Sequence, residues 1–398
     1  MTFFGLRLSI RVFIPPPLPD LPMTTAKRSP VVLRLLCHSL LTAATLCVTQ
    51  ASAQDAFTPL FNGRDLTGWV LVNTPPETWS ISDSMLVCSG RPIGEIRTER
   101  MYQNFILEVE WRHMLPGGNA GIFVWADDIT ARGVPFHRSI EVQVLDHAYG
   151  QSRGHTTHGD IFPIHGATMT PMNGRGGSRA FPTEERSKPS PEWNHYRIEC
   201  RDGSISLAVN GKVVTRGSDA SPRKGYICIE SEGGVVHYRN LRIQELPETP
   251  VTPAQTAIAN RGFRSLYNGL NLDGWTASDT SAERWKSNDW KLSYDGTASG
   301  LENSLLRSGQ PITNRGFIVD ILPKQGCTAA AIAGCPVPPE LLVPDKWVRL
   351  EATVQDGRIT LLADGKPAGQ PKAVAADAVF SLQVGGPAEF ANLYVREL

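Results

Sequence analysis

An all-β chain folded as two tandem sandwiches of the jelly-roll type is what this sequence predicts, and three observations predict it. Short runs alternate apolar and polar residues with a period of two, where a helix would need 3.6. Asn-Gly and Asp-Gly pairs, which accept the positive φ of tight hairpin turns, stand between such runs. The same segments also recur, in the same order, in both halves of the 398 residues.

Residues 1–53 are read as an extension and a targeting segment. Lys27, Arg28 and Arg34 precede an apolar stretch, and Ala51-Ser52-Ala53 fits the small-x-small cleavage rule, so the mature chain is expected to start at Gln54. That places the protein in the periplasm or outside the cell. No other stretch is long and apolar enough to span a bilayer.

The first sandwich is expected over 54–247. FILEVEWRHM sets Phe105, Leu107, Val109 and Trp111 on one face and Glu108, Glu110 and Arg112 on the other. In RIECRDGSISLAVNGKVV two alternating strands flank Asp202-Gly203, and Asn210-Gly211 makes the next turn. A Pro/Thr/Ala-rich linker, 248–259, follows. The second sandwich, 260–398, repeats the first. FTPLFNGRDLTGW (57–69) returns as FRSLYNGLNLDGW (263–275), and YRNLRIQEL (238–246) as FANLYVREL (390–398). EWNHYRIECRDGSISLAVNGK (192–212) returns as DKWVRLEATVQDGRITLLADGK (345–366). Trp69 and Trp275 lie 206 positions apart but Trp193 and Trp347 only 154, so the second copy lacks 52 residues between those landmarks.

What the second copy lacks is the part of the chain richest in proton-handling groups. SIEVQVLDHAYGQSRGHTTHGDIFPIH (139–165) holds four of the nine histidines. If Ile140, Val142 and Val144 fill the core, Glu141 and Gln143 project from the opposite face. GNAGIFVWAD (118–127) likewise sends Ile122 and Val124 inward and Asn119, Phe123 and Trp125 outward. Two such strands side by side offer a carboxylate, amides and aromatic rings, a surface suited to a sugar. The candidate catalytic groups are therefore Glu141, Asp146 and His158, and the candidate substrate contacts Asn119, Trp125, Gln143 and His165. His137 and His195 are read as structural or surface residues. No cofactor is certain from these residues, although His and carboxylate together would suit a divalent metal such as Zn or Mn, and HTTH (155–158) is one place for it.

The 39 basic and 39 acidic residues cancel, which leaves no electrostatic case for nucleic acid. Neither a phosphate-binding loop, a dinucleotide fingerprint nor a nucleophile elbow is present. Cys327 and Cys335 stand close enough in sequence for a local disulfide outside the cytoplasm. The oligomeric state, the sugar and its linkage are not encoded in any motif.

FNGRDLTGW, GNAGIFV, IEVQVLD, PEWNHYRIECRDGSISLAVNGK and HYRNLRI, in that order, resemble the 3-keto-disaccharide hydrolase domain, also described as a 3-keto-α-glucoside 1,2-lyase/3-keto-2-hydroxy-glucal hydratase domain. The resemblance is close over about 56–246 and weaker over 260–398, which makes the second copy a degenerate one. It implies a concanavalin-like jelly roll and an oxidised oligosaccharide or glycoside as substrate. The family's Asn-Ser-Gly stands here as Asn119-Ala120-Gly121, its Glu-Val-Gln is kept at Glu141–Gln143, and Trp125 stands where the family usually has Arg.

The implied chemistry is elimination and rehydration. A ketone at C3 acidifies the C2 hydrogen, a base removes it, the C1 substituent leaves, and water adds back. That requires a base, an enolate stabiliser and an acid for the leaving oxygen. Glu141 or a loop histidine would be the base. Asn119, Gln143 or a bound divalent ion would steady the enolate. Asp146 or His158 would supply the acid. Two alternatives stay open: a conventional glycosidase using Glu141 and Asp146, and a non-catalytic carbohydrate-binding module.

Overall fold

Period-two patterning with hairpin turns gives two-layer structures, because each strand must bury one face and expose the other. The computed structural model describes residues 56–149, 158–259, 262–279, 281–297 and 300–398. The expected cleavage after Ala53, and His155, lie outside the described residues. Within them the chain is all-β, its helical turns being short 3-10 pieces such as Pro76–Thr78.

The first sandwich pairs a nine-stranded sheet with a six-stranded one. In the larger, back sheet, Phe105–His113 lies between Asn194–Arg201 and Val236–Glu245. Its alternation is realised: Phe105, Leu107, Val109 and Trp111 are buried in the core. On the far face Glu108 pairs with Arg197 at 3.0 Å and Arg242 at 2.6 Å, and Glu110 with Arg239 at 2.6 Å. The front sheet runs, edge to edge, Trp69–Val72, Gly94–Thr98, Tyr226–Ser231, Asn119–Ala126, Ser139–Leu145 and Ile161–Ile164. Its inward residues Ile96, Ile122, Val142 and Ile229 meet Leu107, Trp111 and Tyr196 in one core. The turns follow their sequence: Asp202 and Gly203 take φ +50° and +82°, Asn210 and Gly211 +48° and +88°.

One strand breaks its alternation. Tyr226 pairs with Ala126 but Cys228 with Phe123, so an extra residue bulges from Asn119–Ala126 at Val124-Trp125. Trp125 takes φ +57°, a conformation seldom adopted by a bulky residue. The bulge reverses parity, and Trp125 turns inward with Val124. Its ring is fully buried in the core, and its indole N–H donates to the Gln103 carbonyl at 2.8 Å. The expectation that Trp125 faces a substrate is therefore corrected.

The second sandwich pairs a nine-stranded with a five-stranded sheet around its own core. Its turns repeat the chemistry of the first, with Asp356 and Gly357 at +51° and +70° and Asp364 and Gly365 at +47° and +78°. Where the first copy has the seven-residue strand Ser139–Leu145, the second has only Cys335–Pro336. Cys327 and Cys335 are both free thiols, so the local disulfide is not formed.

The sandwiches meet along the loop 127–138, which joins two front-sheet strands of the first copy. Asp320, enclosed in the second copy, accepts from Gly133 N at 2.8 Å and from Arg349 Nε at 2.7 Å. Arg349 Nη2 donates to Thr130 O at 2.8 Å, and the Thr130 and Tyr394 hydroxyls are 2.8 Å apart. Gly133 holds φ +73°, and a Cβ there would stand 2.6 Å from the Trp347 ring, so only glycine fits.

Candidate functional site

The outward face of the front sheet is a grid set by strand register. One row runs Arg97, Cys228, Phe123, Glu141 and Phe162; a neighbouring row contains Glu95 opposite Glu230, and Gly121 opposite Gln143. Glu141 thus sits where its alternation with Ile140 and Val142 placed it, on the face away from the core. It is nevertheless only 8% exposed, and Glu95 and Glu230 are more enclosed still.

Glycine makes the crowding feasible. A Cβ at Gly121 would stand 2.9 Å from Glu230 Oε2 and 3.0 Å from Glu141 Oε1. Glu232, two residues beyond Glu230, closes one side. The Asn119 amide donates to it, while Asn119 Oδ1 accepts from Gln143 Nε2 at 2.8 Å. On the other side Arg179 lies 3.3 Å over the Phe162 ring centroid and pairs with Asp160 at 3.1 Å. Asn119, Phe162, Arg179 and Glu232 are partly exposed and form the rim.

Packing of this kind raises the proton affinity of Glu141, Glu230 and Glu232. Burial, then the neighbouring Glu232 carboxylate, with Glu95 and Asp160 behind, push Glu141 up to about 8, and Arg179 offsets only part. Burial and the charges of Glu141 and Glu232 hold Glu230 well above the carboxylate range. Burial also raises Glu232, against hydrogen bonds from Glu230 and Asn119 that lower it. Glu230 Oε2 is buried with no hydrogen-bond partner. Deeper on the same face, His137 Nδ1 pairs with Glu95 and lies 3.8 Å from Cys228 Sγ, all three fully enclosed.

The other expected residues lie elsewhere. Asp146 Oδ1 accepts from Gly117 N at 2.8 Å and Ala148 N at 2.9 Å, and Oδ2 from Ser190 N at 2.8 Å. Burial alone would raise its carboxyl, but those bonds outweigh burial and hold it below the usual range. Such a group is a loop cap, not a proton donor at neutral pH. His158 Nδ1 donates to Leu145 O at 3.0 Å. Leu145 is four residues along the strand from Glu141, roughly 13 Å, so the imidazole and the buried carboxyl do not share one spot. His165 falls in the exposed turn after the edge strand, at φ +50°. His195 lies at the surface, 3.9 Å from Glu108.

Glu95, Glu230, Glu232 and Arg179 were missed by the sequence reading. YICIESEG (226–233) alternates Cys228, Glu230 and Glu232 against Ile227, Ile229 and Ser231, a pattern as clear as that of SIEVQV. None of the five front strands of the second copy carries an acidic residue. A carboxyl raised to about 8, beside others that burial also raises, can take and give protons near neutral pH, which is what acid–base catalysis on a sugar requires.

Residues 56–244 match the family described as the 3-keto-alpha-glucoside-1,2-lyase-like domain. No curated protein matches the chain. Among solved structures, a Parabacteroides distasonis protein provisionally named a glycosyl hydrolase is 22% identical, spanning 50% of this chain and 97% of its own, with a TM-score of 0.40. A second so named from that organism is 25% identical over 48% of this chain and 100% of its own, at 0.38. The Bacillus licheniformis beta-glucanase is 14% identical over 48% and 98%, at 0.34.

Proposed function

We propose, from the premise that residues 56–244 are a 3-keto-alpha-glucoside-1,2-lyase-like domain, that the protein cleaves 3-keto-glycosides by elimination and rehydration on the front-sheet face of its first sandwich. The observation that carries this is the enclosed carboxyl group of Glu141 beside Glu230 over Gly121, with its proton balance displaced to about 8. A carboxylate of that basicity is matched to taking hydrogen from carbon next to a ketone near neutral pH.

In the proposed cycle Glu141 takes the C2 proton, and its electron pair delocalises onto the C3 oxygen. Arg179, at the rim and close enough to Glu141 to lower its pKa, faces that developing negative charge. The C1–O bond then breaks, and the departing oxygen takes a proton from Glu232, the raised carboxyl nearest solvent. Water adds to C1 and a proton returns to C2, so the net change is hydrolysis. Asn119 at the rim holds a sugar hydroxyl, buried Gln143 orients Asn119 through the bond from Nε2 to Asn119 Oδ1, and Phe162 offers a ring to the C–H face. The expected targeting segment supports work in the periplasm or outside the cell. An ordinary two-carboxylate glycosidase using Glu141 and Asp146 is less well supported, because backbone hydrogen bonds already occupy both oxygens of Asp146.

Matched glycosides, with and without a ketone at C3, test the proposal. Only the oxidised one should be cleaved, and Glu141→Gln should lower kcat/KM by about 10³ or more. Equal cleavage of both glycosides, or full activity in Glu141→Gln, would overturn it.

A further inference from the structure

A second constellation lies at the far end of the Glu141 strand and takes no part in the proposed cycle. His158 Nε2 lies 3.1 Å, and His147 Nε2 3.4 Å, from the same oxygen of Glu185, Oε1. The two imidazole centroids are only 4.0 Å apart. His147 Nε2 is also 2.9 Å from Ser187 Oγ, a hydroxyl at the edge of the same space.

The orientation of His158 is the informative part. Its Nδ1 points at the Leu145 carbonyl, which can only accept, so Nδ1 must carry hydrogen. In the neutral ring Nε2 is then a bare lone pair, and it faces a carboxylate oxygen, another acceptor. Two acceptors at 3.1 Å are held together only by something positive between them. Tethering one ring nitrogen to a backbone carbonyl is also how proteins orient a histidine whose other nitrogen binds a metal. Ligand atoms about 2.0–2.1 Å from a tetrahedral zinc stand roughly 3.3–3.4 Å from one another, close to the two separations found here.

We propose that His147, His158 and Glu185 bind one divalent transition metal, zinc by their donor chemistry, through the two Nε2 atoms and Glu185 Oε1. Three protein ligands leave a fourth position for water or a sugar oxygen. The ion would fasten the start of the loop (His147), its return (His158) and the 184–187 segment to one point. The second copy has no counterpart, since its 52 missing residues lie in the stretch that would include this loop.

The test is metal binding by the full chain, read without turnover so that its outcome is separate from that of the lyase proposal. Protein stripped with chelator is titrated with Zn²⁺ by calorimetry, and metal content is measured after dialysis. About one equivalent should bind with Kd near or below about 1 μM. Glu185→Gln and His147→Ala should each weaken binding at least tenfold. The Glu185 side chain is mostly exposed, and unchanged circular dichroism would show that its variant folds. Cys228→Ser, which alters the separate enclosed Glu95–His137–Cys228 group, should leave binding unchanged. No stoichiometric zinc, undiminished binding in Glu185→Gln, or loss in Cys228→Ser instead would each overturn the proposal.

Discussion

At Glu141 burial acts first on the proton, and through the proton on stability. Its carboxyl holds hydrogen in the folded chain up to about pH 8, against an ordinary value of 4.5. Below pH 4.5 both folded and unfolded forms are neutral, so the full stability is present. Between 4.5 and 8 only the unfolded form ionises, and stability is lost as pH rises, at roughly 1.4 kcal/mol per pH unit for a single isolated group. Glu141→Gln has no such proton to lose. Urea unfolding at pH 5 and pH 8 should therefore show the variant gaining on the parent as pH increases, while the parent's kcat/KM climbs toward pH 8 as the base ionises. A gap independent of pH would place the proton elsewhere, on Glu230 or Glu232.

The strand Asn119–Ala126 shows what an element can hide. Trp125→Ala should remove about 3–5 kcal/mol of stability, as expected when a large core ring leaves a cavity. The variant that remains folded should keep its KM, because the ring touches core and not substrate. A raised KM with unchanged unfolding midpoint would return Trp125 to the binding surface. This strand also marks where legibility in the sequence ended. Phe105–Trp111 and Glu141 were placed correctly because strict alternation fixes a face within a few residues. Trp125 was misplaced because one bulged residue inverts parity, and nothing in GIFVWAD announces it. Glu95 and Glu230 went unread for a different reason: strand pairing brings them to Glu141 from 46 and 89 residues away. Loop groups such as Asp146 and His158 have no period at all, so only their hydrogen bonds reveal what they do.

For the whole molecule, the joint between the sandwiches is the feature with most leverage. Asp320, Arg349 and the loop 127–138 share one enclosed network, and Asp320→Ala would leave Arg349 buried without its partner. The expected cost is about 3–5 kcal/mol, seen in calorimetry as a single transition dividing into two. One undivided transition at the parent's temperature would show that the sandwiches do not depend on this contact.

The same loop presents His137 to Glu95 and stacks Phe136 edge-on against Phe123, with ring centroids 5.5 Å apart. The second sandwich therefore grips, through Thr130 and Gly133, the very segment that covers Glu95 and Phe123 of the first. Trimming the chain at the linker would unfasten that cover, admitting water toward Glu230 and letting its raised proton affinity relax toward that of an ordinary surface carboxylate. One sandwich thus holds down the segment that shields the buried side chains of the other.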